Sequence, residues 1–205
     1  TTRGQYVVTL DVTDIETTWS EQRACLNKAA SHVFREIKEI RRRIPFAICG
    51  IDSDCGAEFI NGHLYRYCKE EDILFTRGRP YKKNDGCHIE QKNWSIVRQN
   101  VGYGRFETQK EVDRLNELYD LLRIHNNFLL PSVKLERKQR DGARVIRTHS
   151  KANTPFRRVI ASEHIEDKTK EHLNEIFVTL NPVELRRKIG NIQKDLYSYS
   201  RELKK

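Results

Sequence analysis

Over residues 6–13, apolar Val8, Leu10 and Val12 alternate with Val7, Thr9 and Asp11, and residues 19–26 follow after a polar turn. Alternation with a period of two on both sides of a turn predicts a β-hairpin. The spacing then changes to three and four. Ala30, Val33, Phe34, Ile37, Ile40 and Ile44 fall on one stripe of a helix that Pro45 closes. Residues 46–51 form a short, nearly continuous apolar run, the pattern of a strand covered on both faces. A short helix over 63–71 and a strand over 73–76 complete a β-β-α-β-α-β order, which points to an α/β layer fold.

Residues 77–86 are rich in Gly, Pro and Lys and read as a loop; 90–101 reads as a helix stopped by Gly102. Thr108-Gln109-Lys110-Glu111 is a capping box. It opens a helix to about residue 127, with Val112, Leu115, Tyr119 and Leu122 on one stripe. After Pro131 the pattern changes. Apolar-polar runs at 133–138 and 143–148 flank Asp141-Gly142, a hairpin turn signal. Helices are expected at 155–161 and 168–180, and a last one has Asn181-Pro182 as cap and first-turn proline. In it Leu185, Ile189, Ile192, Leu196, Tyr199 and Leu203 repeat at alternating four and three residues. Such a heptad seam either packs within its own chain or pairs with another protomer. The chain thus divides into a 1–130 unit and a smaller 131–205 unit, a basic β-hairpin followed by helices.

A chain of 205 residues suits one domain, or one domain with a small appendage, and can bury a real core. A net charge of +9 asks for an acidic partner, nucleic acid before others, unless it only solvates the surface. Cys25, Cys49, Cys55, Cys68 and Cys87 are an odd number at irregular spacing with no C-x-x-C pair, which fits a reducing cytoplasm. No signal peptide and no apolar run near 18 residues is present, so export and membrane spanning are not expected. The chain begins with Thr and contains no Met, and so reads as a piece of a longer protein.

Two carboxylates carry the candidate chemistry. Asp54 ends an apolar run before a glycine, Glu90 opens a helix, and 35 residues lie between them. Magnesium and manganese take oxygen ligands, and two-ion phosphoryl transfer needs carboxylates converging from separate elements. On helical geometry Glu90 shares a face with Trp94, Val97 and Val101, the face expected to pack on the sheet. A charge at the edge of that face is costly without a partner, and a cation would be one. The alternative is a first-turn Glu favoured by the helix dipole and Asp54 as a turn residue.

Asp54-Cys55-Gly56 followed by Glu58-Phe59, the 35-residue gap, Arg79-Pro80-Tyr81-Lys82-Lys83-Asn84-Asp85, Glu90-Gln91-Lys92-Asn93-Trp94 and Thr13-Asp14-Ile15 together resemble a known core. It is the catalytic core of retroviral-type integrases and of bacterial insertion-sequence transposases of the DDE class, and the likeness runs over about residues 5–130. The resemblance implies an RNase H-like fold, a mixed central sheet flanked by helices. It also implies DNA transposition or integration by a polynucleotidyl transferase that nicks and joins strands. Asp54 and Glu90 would be the second and third members of a triad holding two Mg2+ or Mn2+ ions. Implied partners are the element's DNA ends, the target DNA and further copies of the chain, through the C-terminal helix among other routes. The implied location is the bacterial cytoplasm, associated with the nucleoid when DNA is bound.

The family has three strands before its first helix, and only one hairpin precedes residue 29 here. The resemblance therefore implies that the first strand, with the first triad Asp, is missing, and that this piece alone is inactive. Asp11 is the candidate substitute, Asp14 a turn residue, and Asp52 a structural carboxylate. Cys55 departs from the family's usual Asn, a weaker hydrogen-bond partner, and His88 from an aromatic or aliphatic residue. A second reading is a non-catalytic remnant that only binds DNA or oligomerises. A third is a ribonuclease or resolvase of the same fold. A missing strand would also leave an unpaired edge, which predicts poor solubility.

Arg77, Arg79, Lys82, Lys83 and Asn84 precede Glu90, with Tyr81 available to stack on a base, so they are DNA-binding candidates. Arg98 joins them as the nearer to Glu90, Lys92 lying on another side of the helix. The later hairpin, with Lys134, Arg137, Lys138, Arg140, Arg144 and Arg147, is either a second backbone-binding surface or a solubilising one. Cys49, Cys55, Cys87 and His88 could meet near the site and bind zinc, but the thiols are read first as buried small apolar residues. Arg41-Arg42-Arg43 is read as favourable to a helix dipole.

Overall fold

Alternation at the start of the chain produces the expected hairpin: β1 (Val8–Thr13) pairs antiparallel with β2 (Ser20–Cys25), Val8 opposite Cys25 and Thr13 opposite Ser20. Asp14 builds the turn, its carboxylate accepting from the Thr17 N–H and hydroxyl, each at 2.6 Å. The computed structural model describes residues 4–53, 62–78, 93–142 and 144–202.

Helix α1 (Ala30–Arg43) buries Val33, Ile37 and Ile40 of its stripe. Strand β3 (Gly50–Ser53), helix α2 (Gly62–Glu70) and strand β4 (Leu74–Arg77) follow, with β3 and β4 parallel and Ile51 opposite Phe75. The strand expected over 46–51 thus starts at Gly50 and is not covered on both faces, since Gly50 and Asp52 are exposed. Phe46 leaves the strand to meet Trp19 edge-on at 6.3 Å. Pairing with β4, a non-local event, sets where the strand begins.

A π-helical segment, Asn93–Arg98, runs into the short α3 (Gln99–Val101), and Gly102 at φ 77° ends it. Helix α4 (Gln109–Ile124) opens on the predicted capping box. The Thr108 hydroxyl accepts from the Glu111 N–H at 3.3 Å, and the Glu111 carboxylate accepts from the Thr108 N–H at 2.8 Å. A π-helical extension, His125–Leu129, continues it. Strands β5 (Leu135–Asp141) and β6 (Arg144–His149) form the second hairpin, with Asp141 opposite Arg144 and Gly142 at φ 57° in the turn. The chain then enters α5 (Pro155–Ala161), α6 (Asp167–Thr179) and α7 (Pro182–Glu202). Asn181 caps α7 by accepting from the N–H groups of Val183 and Glu184, both at 3.1 Å.

Among the described residues these elements enclose three apolar clusters. Beneath α1, Leu10 of β1 and Cys25 of β2 meet Ile37, Ile40, Leu64, Cys68 and Ile73, with Ile51 and Phe75 packed against them. Between α4 and α7, Leu115, Leu118, Tyr119 and Leu122 face Leu185, Ile189, Ile192 and Leu196. The third joins Trp19 and Phe128 to Phe156, Val159 and Leu173, with Phe156 stacked on Phe128 at 5.1 Å and on Phe177 at 4.8 Å. Two clusters therefore contain residues from both sides of position 130. Leu185, Ile189, Ile192 and Leu196 of the heptad seam are thus packed against α4 within the chain.

A buried ionic network ties β2 to α1 and α4. Glu21, 1% exposed, accepts from Arg123 at 2.5 Å and from the Trp19 indole at 2.9 Å, and Arg43 lies 3.4 Å away. Arg43 also reaches Asp120 at 2.5 Å, so it is more than a charge at a helix end. In place of one central sheet, the strands among the described residues form three two-stranded sheets, β1-β2, β3-β4 and β5-β6. No helix among the described residues is long and apolar enough to cross a membrane.

Candidate functional site

Asp54 and Glu90 lie outside the described residues, as do Arg79, Tyr81, Lys82, Lys83 and Asn84, and as do Cys55, Cys87 and His88. What is described is the frame from which they depart. β3 and β4 run parallel, Ser53 stands opposite Arg77, and the Ser53 carbonyl accepts from the Gly78 N–H at 2.8 Å. The two segments that carry the candidates, 54–61 and 79–92, thus leave from the same carboxyl end of one strand pair. In open α/β sheets that end is where ligands bind. Asp52, one position inside, is exposed and accepts from the Thr76 hydroxyl at 2.6 Å across the pair, as befits a structural carboxylate. Ser53 is buried, and its hydroxyl has no hydrogen-bond partner among the described residues.

Asp11 sits on β1 opposite Gln22, whose amide donates to it at 2.9 Å. Two residues away, on the same strand face, the Thr9 hydroxyl lies 2.7 Å from the phenol of Tyr119. Burial pushes that phenol well above its usual pKa. The Thr9 hydrogen bond opposes the rise, the Asp11 charge adds to it and Arg98 offsets part of it. Tyr119 therefore feels the charges of both Asp11 and Arg98, with the phenol held in its protonated form. Arg98 is exposed and lays its guanidinium 5.0 Å over the ring of Tyr103, itself 80% exposed. Among the described residues no group of three or more His, Cys, Asp or Glu could hold a metal ion.

The described thiols Cys25, Cys49 and Cys68 are free. Burial, helped by the nearby Glu36 charge, pushes the Cys25 thiol up to about 12. Burial also raises Cys68, with the Arg41 charge opposing it. Both shifts disfavour the thiolate, the reactive form of a cysteine. Of the four residues weighed for zinc, Cys49 alone is described, and it is exposed.

The segment following Glu90 corrects one inference. Trp94 is 57% exposed, while Ile96 and Val97 are buried. A π-helical turn holds more residues than an α-turn, so the register inside Asn93–Arg98 shifts and Trp94 leaves the packed face.

No family model matches the chain. An uncharacterized protein of Sinorhizobium fredii, y4rM, is 36% identical over 155 residues, covering 76% of this chain and 44% of that relative. The chain thus spans less than half the length of the curated relative it matches. Two solved structures are similar in part. The catalytic core domain of BIV integrase has a TM-score of 0.47 at 17% identity, covering 77% of this chain and 88% of that one. The simian T-cell lymphotropic virus intasome in complex with PP2A regulatory subunit B56 gamma has a TM-score of 0.48 at 13% identity, covering 59% of this chain and 42% of that one.

Sequence reasoning missed Tyr103 as the partner of Arg98, because an aromatic after a helix-ending glycine carries no periodic signal. It also missed a surface cleft of about 710 Å³ between α1 and α2, lined by Phe34, Lys38, Arg41, Arg42, His63 and Arg66 among others. Arg41 there donates to the Tyr67 hydroxyl at 2.7 Å and pairs with Glu71 at 2.8 Å.

Proposed function

We propose that the chain is most of the catalytic core of a DNA integration or transposition enzyme, a polynucleotidyl transferase that nicks and joins strands. Asp54 and Glu90 would hold Mg2+ or Mn2+, hard cations suited to carboxylate oxygens. Two such ions, when bound, activate the attacking water or 3′-hydroxyl and stabilise the leaving oxygen. The chain's own part is positioning: β3 and β4 present both candidate segments from one sheet end, and the basic residues 79–84 and Arg98 would hold the phosphate backbone.

The observation that carries the reading is the divided sheet. β1 and β3 contribute Leu10 and Ile51 to the same cluster beneath α1, yet each is paired with a single partner strand among the described residues. One more strand between them would join both pairs into a single mixed sheet, and the resemblance puts the first triad Asp on such a strand. Asp11, the candidate substitute, lies on β1 itself and accepts from the Gln22 amide through one of its oxygens at 2.9 Å.

The test is Mg2+- and Mn2+-dependent nicking and joining of the element's end DNA. This chain, a version extended upstream, and Glu90→Gln in each are compared. Activity confined to the extended wild type supports the reading. Activity of this chain that Glu90→Gln removes shows that another carboxylate of this chain, Asp11 first, stands in for the missing first triad Asp. Inactivity of the extended wild type favours the non-catalytic remnant.

A further inference from the structure

We infer that the β5–β6 ribbon is a binding arm for duplex DNA, with Lys138, Arg140 and Arg147 meeting phosphates from one face. The register places Lys138 opposite Arg147 and Arg140 opposite Val145. Residues two apart share a strand face, so the three cations lie together. Asp141 falls on the other face, opposite Arg144, and Glu136 lies at the register shift between Leu135 and Arg137. Every described residue of both strands is exposed. Like charges directly opposite one another on a strand pair are unfavourable, and a bridging anion reverses that sign. Among the described residues Lys138, Arg140 and Arg147 enter no ion pair; Arg140 donates to the carbonyl of Gly142 at 3.3 Å.

The ribbon is exposed along its length but fixed at its root. Lys134 and Ser150 bond in both directions at 2.9 Å, and Ser132 and Asn153 exchange backbone bonds at 2.9 and 3.1 Å. Arg158 donates to the Thr18 hydroxyl at 2.6 Å, the Ser132 hydroxyl at 3.1 Å and the Ser132 carbonyl. Lys134 reaches the Glu16 carbonyl at 2.6 Å. An isolated hairpin is marginal in water, and this root makes it a presented surface. Two strands about 4.8 Å apart enter the roughly 12 Å major groove of B-DNA, which admits a two-stranded ribbon. The deep, narrow major groove of A-form RNA does not.

The experiment measures binding of the full chain to duplex DNA by fluorescence anisotropy across a salt series in EDTA. It is therefore independent of Asp54, Glu90 and any metal, and failure of either reading leaves the other standing. Three proteins are compared: wild type, K138A/R140A/R147A, and R137A/R144A/K151A, which removes equal charge away from that face. Matching thermal midpoints establish that both variants fold. The proposal expects the first variant to lower the slope of log affinity against log salt by about 2–3, one unit per lost phosphate contact. The second variant should change it by less than about one on the same scale. An unchanged slope in the first variant, equal losses in both, or a preference of the wild type for duplex RNA overturns it.

Discussion

Two asparagines do at the edge of β2 what another strand would do. The Ser20 N–H donates to the Asn127 side-chain carbonyl at 2.9 Å, and the Asn127 amide donates to the Ser20 carbonyl at 2.9 Å. Asn116 accepts from the Ala24 N–H at 2.8 Å and donates to its carbonyl at 3.4 Å. A carboxamide carries one acceptor beside a donor pair, so it can answer a peptide group as a neighbouring backbone does. Asn127 is fully buried. Asn127→Ala therefore strands both polar groups of Ser20 and is expected to cost about 2–4 kcal/mol, at roughly 1–3 for each unsatisfied group. Urea unfolding, read as a lower midpoint at unchanged slope, measures it. A loss below about 0.5 kcal/mol, the low end for an ordinary hydrogen bond, would show that water replaces the side chain. Asn127→Asp keeps the acceptor but sets a carboxylate against the Ser20 carbonyl, and is expected to cost at least as much at neutral pH.

The α4–α7 pairing gives the C-terminal repeat a packing role within the chain. Ile189 is 2% exposed and packed in the cluster with Leu115, Leu118 and Leu122. Ile189→Ala should cost about 2–5 kcal/mol by lost transfer energy and the cavity left behind. Urea unfolding measures that loss, and sedimentation of the folded variant should match that of the wild type. Dissociation of an oligomer on Ile189→Ala would return the seam to a role between protomers. Elements whose signals are local were legible from the residues: the α1 stripe closed by Pro45, the Thr108–Glu111 box, the Asp141-Gly142 turn and the Asn181 cap. The onset of β3 was not, because β4, more than twenty positions away, sets it. Nor was the outward turn of Trp94, since a π-helical register breaks the 3.6-residue count on which the expectation rested. For the candidate site, the strand end preceding Asp54 was legible. The stacking of Arg98 on Tyr103 was not, because it depends on how the chain turns at Gly102.

At the scale of the whole molecule, peptide orientation turns the divided sheet into a measurement. Ser20 and Ala24 point their peptide groups at Asn127 and Asn116, away from β1. In an antiparallel ladder, directly opposed residues that do not bond each other both face outward. Thr13 opposes Ser20 and Thr9 opposes Ala24. Their peptide groups therefore face away from β2, along the edge that shares a cluster with β3. On the same edge the Val7 N–H already donates to the Phe106 carbonyl at 2.8 Å, so the edge can accept a backbone partner. If a strand upstream of Thr1 fills this place, the amides of Thr9 and Thr13 gain ladder bonds that this chain does not supply from its described residues. Native-state hydrogen exchange, compared between this chain and an upstream-extended version, should slow at those two amides by on the order of a hundredfold or more, reporting the opening free energy of the new ladder. The Ser20 and Ala24 amides, already held by asparagine side chains, serve as the internal reference and should change less. Equal protection of all four amides in both proteins would leave β1 without a strand to receive, and the single mixed sheet with it.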